Sequence, residues 1–334
     1  MKTCFPAVGA LLLAPLLLAA APPAPSPNEV VAQAPAADWI TIPATDLLVM
    51  DLPPLANKPR RVVIQLIPLP FSMPWVANVR RLARAAWYDG TAIVRVQDNY
   101  VTQWGDPDGE DPIKAKRLPP LLSTSNARYT ASPKIGMIFT TSFDPTDGQE
   151  FRDIGLQVFY ATRLKGLLKS AKPTKDPYAP SAHNVIGWPL ASDGKRIWPV
   201  HCYGMVGVGR GMPPDAGSGA ELYTVIGHAP RHLDRNIALV GRVVQGIEHL
   251  SSLPRGTGPL GFYETPAERT PITRIRLASD LPATEQPRLQ YLSTESASFD
   301  AYAAARANRR DRFFIHPAGG ADICNIPVPI RTKP

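Results

Sequence analysis

From Trp39 to Leu277 the chain keeps producing short runs rich in β-branched and aromatic residues, bounded by Gly, Pro, Asn and Asp, and this pattern limits its fold most. The strongest is Arg61 to Ile67. Others are Trp39 to Ile42, Leu47 to Leu52, Thr91 to Gln97, Tyr100 to Gly105, Cys202 to Val208, Glu221 to Ile226, Asn236 to Val243 and Thr270 to Leu277. Only two stretches among them read as helices. Met73 to Ala86 places Val76, Val79, Leu82, Ala83 and Ala86 on one face and Arg80, Arg81 and Arg84 largely on the other. Ser72 is placed to cap it and Gly90 to stop it. Gln245 to Leu253 is the second. Many short strands with two separated helices predict a mainly β protein, a closed antiparallel barrel capped by two helices. Periodicity alone does not separate that barrel from a sandwich.

The flanks carry different signals. Lys2 followed by the apolar run Ala7 to Ala21 reads as a secretory signal peptide over residues 1–21, with a second cleavage candidate at Ala32-Gln33-Ala34. Cys4 precedes the run, which argues against a lipoprotein anchor. The expected location is therefore periplasmic or secreted. Residues 22–37, rich in Pro and Ala, are expected to be a flexible leader. No later stretch is apolar enough for stable membrane insertion. Cys202 and Cys324, the thiols that remain after processing, either pair in a disulfide or sit as two buried thiols; the sequence leaves both open. The net charge of +8 is spread out except for Arg306, Arg309, Arg310 and Arg312. No nucleic-acid module accompanies them, so no nucleic-acid partner is expected. They read as a solvated helix face, with weak attraction to anionic lipid or cell-wall material left open.

The barrel-like region, residues 38–277, contains a long insertion over about 107–200, where prolines and charges mix without steady period. Ile135 to Thr141 and Leu156 to Tyr160 are candidate strands there, and Ala161 to Ser170 a candidate helix. Residues 278–334 form a C-terminal extension with one predicted helix, Ser298 to Arg310. Asp106 to Asp111 is oxygen-rich but lacks the ligand period of a calcium loop. The histidines show no zinc spacing. Neither metal nor cofactor is expected, and the oligomeric state is not legible.

Several collinear segments resemble the cyclophilin family. Val62 to Ile67, Val76-Ala-Asn-Val-Arg-Arg-Leu-Ala83 and Tyr88-Asp-Gly-Thr91 match its opening. Arg95-Val96, Tyr100 and Gln103-Trp-Gly-Asp-Pro107 match its catalytic Arg strand and the segment after it. Met205-Val-Gly-Val-Gly209, Gly217-Ser-Gly-Ala-Glu-Leu-Tyr223, His232-Leu-Asp234 and Val240 to Gly246 follow in the family's order. The resemblance implies a cyclophilin-like barrel with an outer apolar groove that takes proline-containing polypeptides. It implies peptidyl-prolyl cis-trans isomerase activity, with Arg95 and Gln103 catalytic. Tyr100, Met205, Glu221, Leu222, Tyr223, His232 and Leu233 are expected to line the groove or its rim.

An X–Pro bond rotates over a barrier of ~18–20 kcal/mol because amide resonance resists twisting. A guanidinium that donates to the substrate carbonyl and to the localising prolyl lone pair stabilises the twisted form. This chain departs from the family around that centre. It has Ile93-Val94 before Arg95, Glu221 where Gln is usual, Gly207 where Asn is common, His232 for an aromatic and Ile237 for a His. These departures predict reduced activity. The alternative function is a non-catalytic proline-peptide chaperone or envelope scaffold that uses the same groove.

Overall fold

The computed structural model describes residues 24–68, 70–120, 122, 124, 129–131 and 174–334. The candidate strands Ile135 to Thr141 and Leu156 to Tyr160 and the candidate helix Ala161 to Ser170 lie outside the described residues. The chain enters through helix α1 (Pro27–Gln33) and strand β1 (Trp39–Thr41). It continues as β2 (Leu47–Leu55), β3 (Lys58–Leu66), helix α2 (Met73–Arg84), β4 (Ala92–Val96) and β5 (Val101–Gly105). Four strands belong to the insertion: β6 (Thr174–Asp176), β7 (Ala179–Val185), β8 (Trp188–Ser192) and β9 (Ile197–Pro199). Then come β10 (Met205–Val208), β11 (Leu222–Val225), β12 (Leu239–Gln245), helix α3 (Glu248–Ser251), β13 (Thr270–Pro271) and β14 (Arg274–Leu277). The tail adds β15 (Leu289–Leu292), helix α4 (Ala297–Ala307) and β16 (Ile330–Thr332).

The main sheet has nine antiparallel strands in the order β13-β4-β5-β11-β10-β12-β3-β2-β14. Its outermost members, β13 and β14, are consecutive pieces of one extended segment. That segment pairs with β4 on one side and β2 on the other. Between them, Ile272 N–H donates to the Thr91 carbonyl at 2.8 Å and Thr273 N–H to that of Asp51 at 2.9 Å, so the sheet curls until its two edges share a strand. Leu48, Met50, Val62 and Ile64 point inward onto Val79 and Leu82 of α2 and Trp104 of β5. Their alternates Leu47, Val49 and Val63 point outward onto Ile42, Leu281 and Leu289 of the extension. Both faces of β2 are thus covered, which explains its unbroken apolar run Leu47 to Met50.

Helix α2 buries Trp75, Val76, Asn78, Val79, Leu82 and Ala83. Its expected cap is not made: Ser72 is at the first position but in the left-handed region (φ 49°), and its side chain bonds no helix N–H. Pro74 fixes the first turn instead. The helix ends at Arg84, before Ala86 and Gly90, and the Gly90 N–H donates to Ile272 on the closing segment.

One expectation about the flanks is corrected. Residues 27–33 of the supposed flexible leader are helical, because Ser26 and Glu29 form a reciprocal capping box and Val30, Val31 and Ala34 pack against the cluster that holds Phe299 and Tyr302 of α4. The insertion is not a loose appendage. Its sheet, ordered β6-β7-β8-β9, sends Trp188, Leu190, Ile197 and Trp198 into the same core as the barrel. Arg242 of β12 pins it there. Its guanidinium donates to the Gly187 carbonyl at 2.7 Å and, by two N–H groups, to Gln65 Oε1 at 3.0 and 2.8 Å. It also lies over the Trp188 ring at 4.6 Å. Burial lowers this guanidinium's pKa to about 10.

The extension forms a third sheet, β1-β15-β16, so the N-terminal strand belongs to it rather than to the barrel. Cys202 and Cys324 are joined in a disulfide with Cα atoms 5.1 Å apart, which ties the tail to the segment entering β10.

Candidate functional site

Strand alternation builds a small apolar cluster, separate from the barrel core and itself nearly buried. On β5, Thr102 and Trp104 face inward, whereas Val101 faces out beside Tyr223 and Val225 of β11. Tyr100, Leu233 and Ile237 pack around these three. Tyr223 is the floor. It sits opposite Gly207 in the β10–β11 ladder, and a Cβ at residue 207 would lie 2.3 Å from its ring. The glycine found where an Asn is common therefore makes room for this tyrosine.

The phenol of Tyr223 is tethered from below. Its oxygen lies 2.9 Å from His201 Nε2, and His201 Nδ1 lies 2.9 Å from Asp234 Oδ1. A carboxylate only accepts, so Nδ1 carries the proton and Nε2 accepts from the Tyr223 hydroxyl. Burial lowers the His201 pKa against the opposing pull of Asp234, and burial pushes the Tyr223 phenol well up. The groove thus faces a neutral aromatic floor. Arg231 extends the network, donating to Asp234 at 2.6 Å and to Asp176 of the insertion at 2.8 Å.

At one end of this surface stands Arg95, brought opposite Gln103 in the β4–β5 ladder by a bulge after Ile93. Its Nε–H donates to the Leu260 carbonyl at 2.7 Å, Nη1 to Gln103 Oε1 at 3.0 Å, and Nη2 to Gln97 Oε1. A guanidinium has five N–H groups. One hydrogen on each terminal nitrogen therefore stays available. The cation lies 5.5 Å from the Tyr100 ring and 5.2 Å from Phe262. Half-burial lowers its pKa, partly offset by Tyr100 and Glu221. His232 is exposed and stacks on Tyr100, centroids 6.4 Å apart. Gln103 in turn donates from Nε2 to Glu221 Oε1. Burial raises the Glu221 pKa, with Glu110 and Asp215 reinforcing and Gln103 and Arg95 opposing.

The structure links Arg95, Gln103, Tyr100, Glu221 and His232 by direct contacts and sets Tyr100 and Leu233 against the Tyr223 cluster. Met205 and Leu222 are not part of it: both pack in the barrel core with Trp104 and Val206 rather than in the cluster of Tyr223. The sequence pattern missed Gln97, Leu260 and Phe262, which hold Arg95 from the far side, and the His201–Asp234–Arg231 support. The glycines 256, 258 and 261 were the available sign of a tight loop beside the site. In the acidic loop, Asp106 accepts from the Lys116 and Asp108 N–H groups and Asp111 from those of Ile113 and Lys114, so these carboxylates organise turns.

Comparison with known proteins follows this geometry. The chain is similar in structure to the cyclophilin AquaCyp293 from Hirschia baltica, with a TM-score of 0.55, 17% identity, 92% of this chain covered and 98% of that one. A cyclophilin type peptidyl-prolyl cis-trans isomerase from Cryptosporidium parvum, solved in the presence of the dipeptide Ala-Pro, aligns with a TM-score of 0.36, 11% identity and 69% and 97% coverage. No curated protein matches in sequence. The family model described as cyclophilin type peptidyl-prolyl cis-trans isomerase/CLD matches residues 69–277, more than half of the chain and the whole span from α2 to the closing strand. The chain belongs to the cyclophilin-type peptidyl-prolyl cis-trans isomerases.

Proposed function

We propose that the protein isomerises X–Pro bonds of exported or unfolded polypeptides, without a cofactor and more slowly than family members with an unaltered pocket. One observation carries the reading. Arg95 is held on three sides yet keeps an N–H on each terminal nitrogen, 5.5 Å from the Tyr100 ring that borders the Val101, Tyr223 and Val225 cluster. In this reading a proline ring seats against Tyr100 and that cluster and turns its preceding carbonyl toward Arg95. Because Gln97, Gln103 and Leu260 fix the guanidinium in advance, it need not reorganise as the imide twists, and it favours that twisted state over both planar ones. The apolar run at residues 7–21 supports export. The altered rim supports the lower rate, since Gly207, His232 and Ile237 remove polar and aromatic contacts from the groove.

The test is an NMR exchange or protease-coupled assay on a short X–Pro peptide. Arg95→Ala should lose about 100-fold or more in kcat/KM, the scale of removing one preorganised charge-stabilising donor. Equal rates in the two proteins would remove the catalytic role. Saturable peptide binding with no rate enhancement in the wild type would favour the scaffold reading instead.

A further inference from the structure

The loop after α4 reads Arg309-Arg-Asp-Arg-Phe-Phe-Ile-His316. Asp311 is taken by Arg309 at 2.5 Å, and that guanidinium stacks on Phe314 at 4.4 Å. Arg310 and Arg312 are left exposed, and among the described residues no carboxylate pairs with them. Between and after them the chain presents apolar tips to solvent: Phe313 is 83% exposed and Ile315 87%. Beside the loop, Arg306, Arg309, Phe314 and Asn325 line a cleft of about 310 Å³.

Helix α1 packs against α4, the helix before this loop, through Val30, Val31 and Ala34 against Phe299 and Tyr302. α1 therefore lies beside the element that leads into the loop.

We propose that this face is a docking surface for an anionic lipid bilayer. Phe313 and Ile315 enter the boundary between headgroups and acyl chains, while Arg310 and Arg312 meet lipid phosphates and the Arg306–Arg309 cleft holds one headgroup. Alternating cations and bulky apolar tips suit that boundary, where each side chain finds its own layer within one short loop. Among the described residues, none of these side chains contacts Arg95 or the Tyr223 cluster, so the proposal stands independently of the catalytic reading.

Flotation of the full chain with vesicles tests it. Binding should be strong to vesicles with about a third phosphatidylglycerol, weak to pure phosphatidylcholine, and should fall as salt rises through the range where the screening length shrinks below the contact distance. Phe313→Ser with Ile315→Ser, and separately Arg310→Ser with Arg312→Ser, should each lower the bound fraction about tenfold or more; one arginine at an anionic surface is worth about fivefold. Both pairs are exposed, so the unfolding midpoint and isomerase rate serve as controls that should not move. Equal binding to both vesicle types, or no change in either variant, would overturn the proposal. Loss with the arginine pair alone would reassign the surface to a soluble polyanion and overturn the bilayer assignment.

Discussion

Glu221 decides which way the Gln103 amide faces. A carboxylate accepts only, so the Gln103 NH2 must turn toward it and Oε1 must turn toward Arg95. A protonated Glu221 can donate, which releases the amide to flip and removes the acceptor from Arg95. Burial places the Glu221 pKa above its ordinary 4.5, so this release begins at higher pH than for a free glutamate. Activity should fall about tenfold as pH drops from neutral through that raised pKa, the worth of one hydrogen bond to a charged group. Glu221→Gln, which can donate as the protonated acid does, should already show the roughly tenfold lower rate at neutral pH and no further acid limb, as an NMR exchange series over pH would read. An acid limb unchanged in Glu221→Gln would remove the orienting role. The same residue scale shows what was legible beforehand. Arg95, Gln103 and Tyr223 lie on outward positions of three neighbouring strands, and their surrounding words carried the resemblance. Leu222 was misplaced because adjacent strand residues face opposite sides, and Tyr223 already held the outer one. His201 gave no sign, since its role depends on Asp234 and Tyr223 meeting it in three dimensions.

At the scale of elements, the barrel strands were readable because β-branched runs alternate with turn residues, and most boundaries moved by only a residue or two. The insertion was not. Its strands are short, interrupted by Pro180 and Pro189, and make sense only once Trp188 and Trp198 are seen inside the common core. α1 was hidden in Pro-rich composition, although Ser26 and Glu29 at capping-box spacing announced it. The packing makes the inserted sheet part of the barrel's own core rather than a removable piece. Trp188→Ala alone should lower urea-unfolding stability by about 3–5 kcal/mol, because it empties a core site 1% exposed and strips the aromatic face from the buried Arg242. A loss under about 1 kcal/mol would mean that the inserted sheet folds apart from the barrel.

Over the whole molecule, three sheets are fastened by few but long-range ties. The Cys202–Cys324 disulfide spans 122 residues, and its neighbours His201 and Asp322 both approach the Arg231 network. Closing a loop of that length restricts the unfolded chain enough to stabilise the fold by about 5 kcal/mol in the chain-entropy model, of which measured disulfides typically realise about 2–4. Cys324→Ser should therefore lower the urea midpoint by an amount equivalent to about 2–4 kcal/mol, and a reducing agent should do the same to the wild type but not to the variant. A further drop in the variant on reduction would point to a different cause.

The segment from Thr270 to Leu277 has one more bearing, on the order in which a growing chain matures. It supplies the last rung to residues near Asp51 and near Ile93 at once. A polypeptide made from its N-terminus must therefore carry two raw sheet margins until the residues around position 277 have emerged. Every earlier intermediate keeps a ladder open to foreign strands, and the finished molecule has hidden both. Its tendency to associate wrongly should thus be confined to synthesis and vanish with the arrival of a single eight-residue stretch.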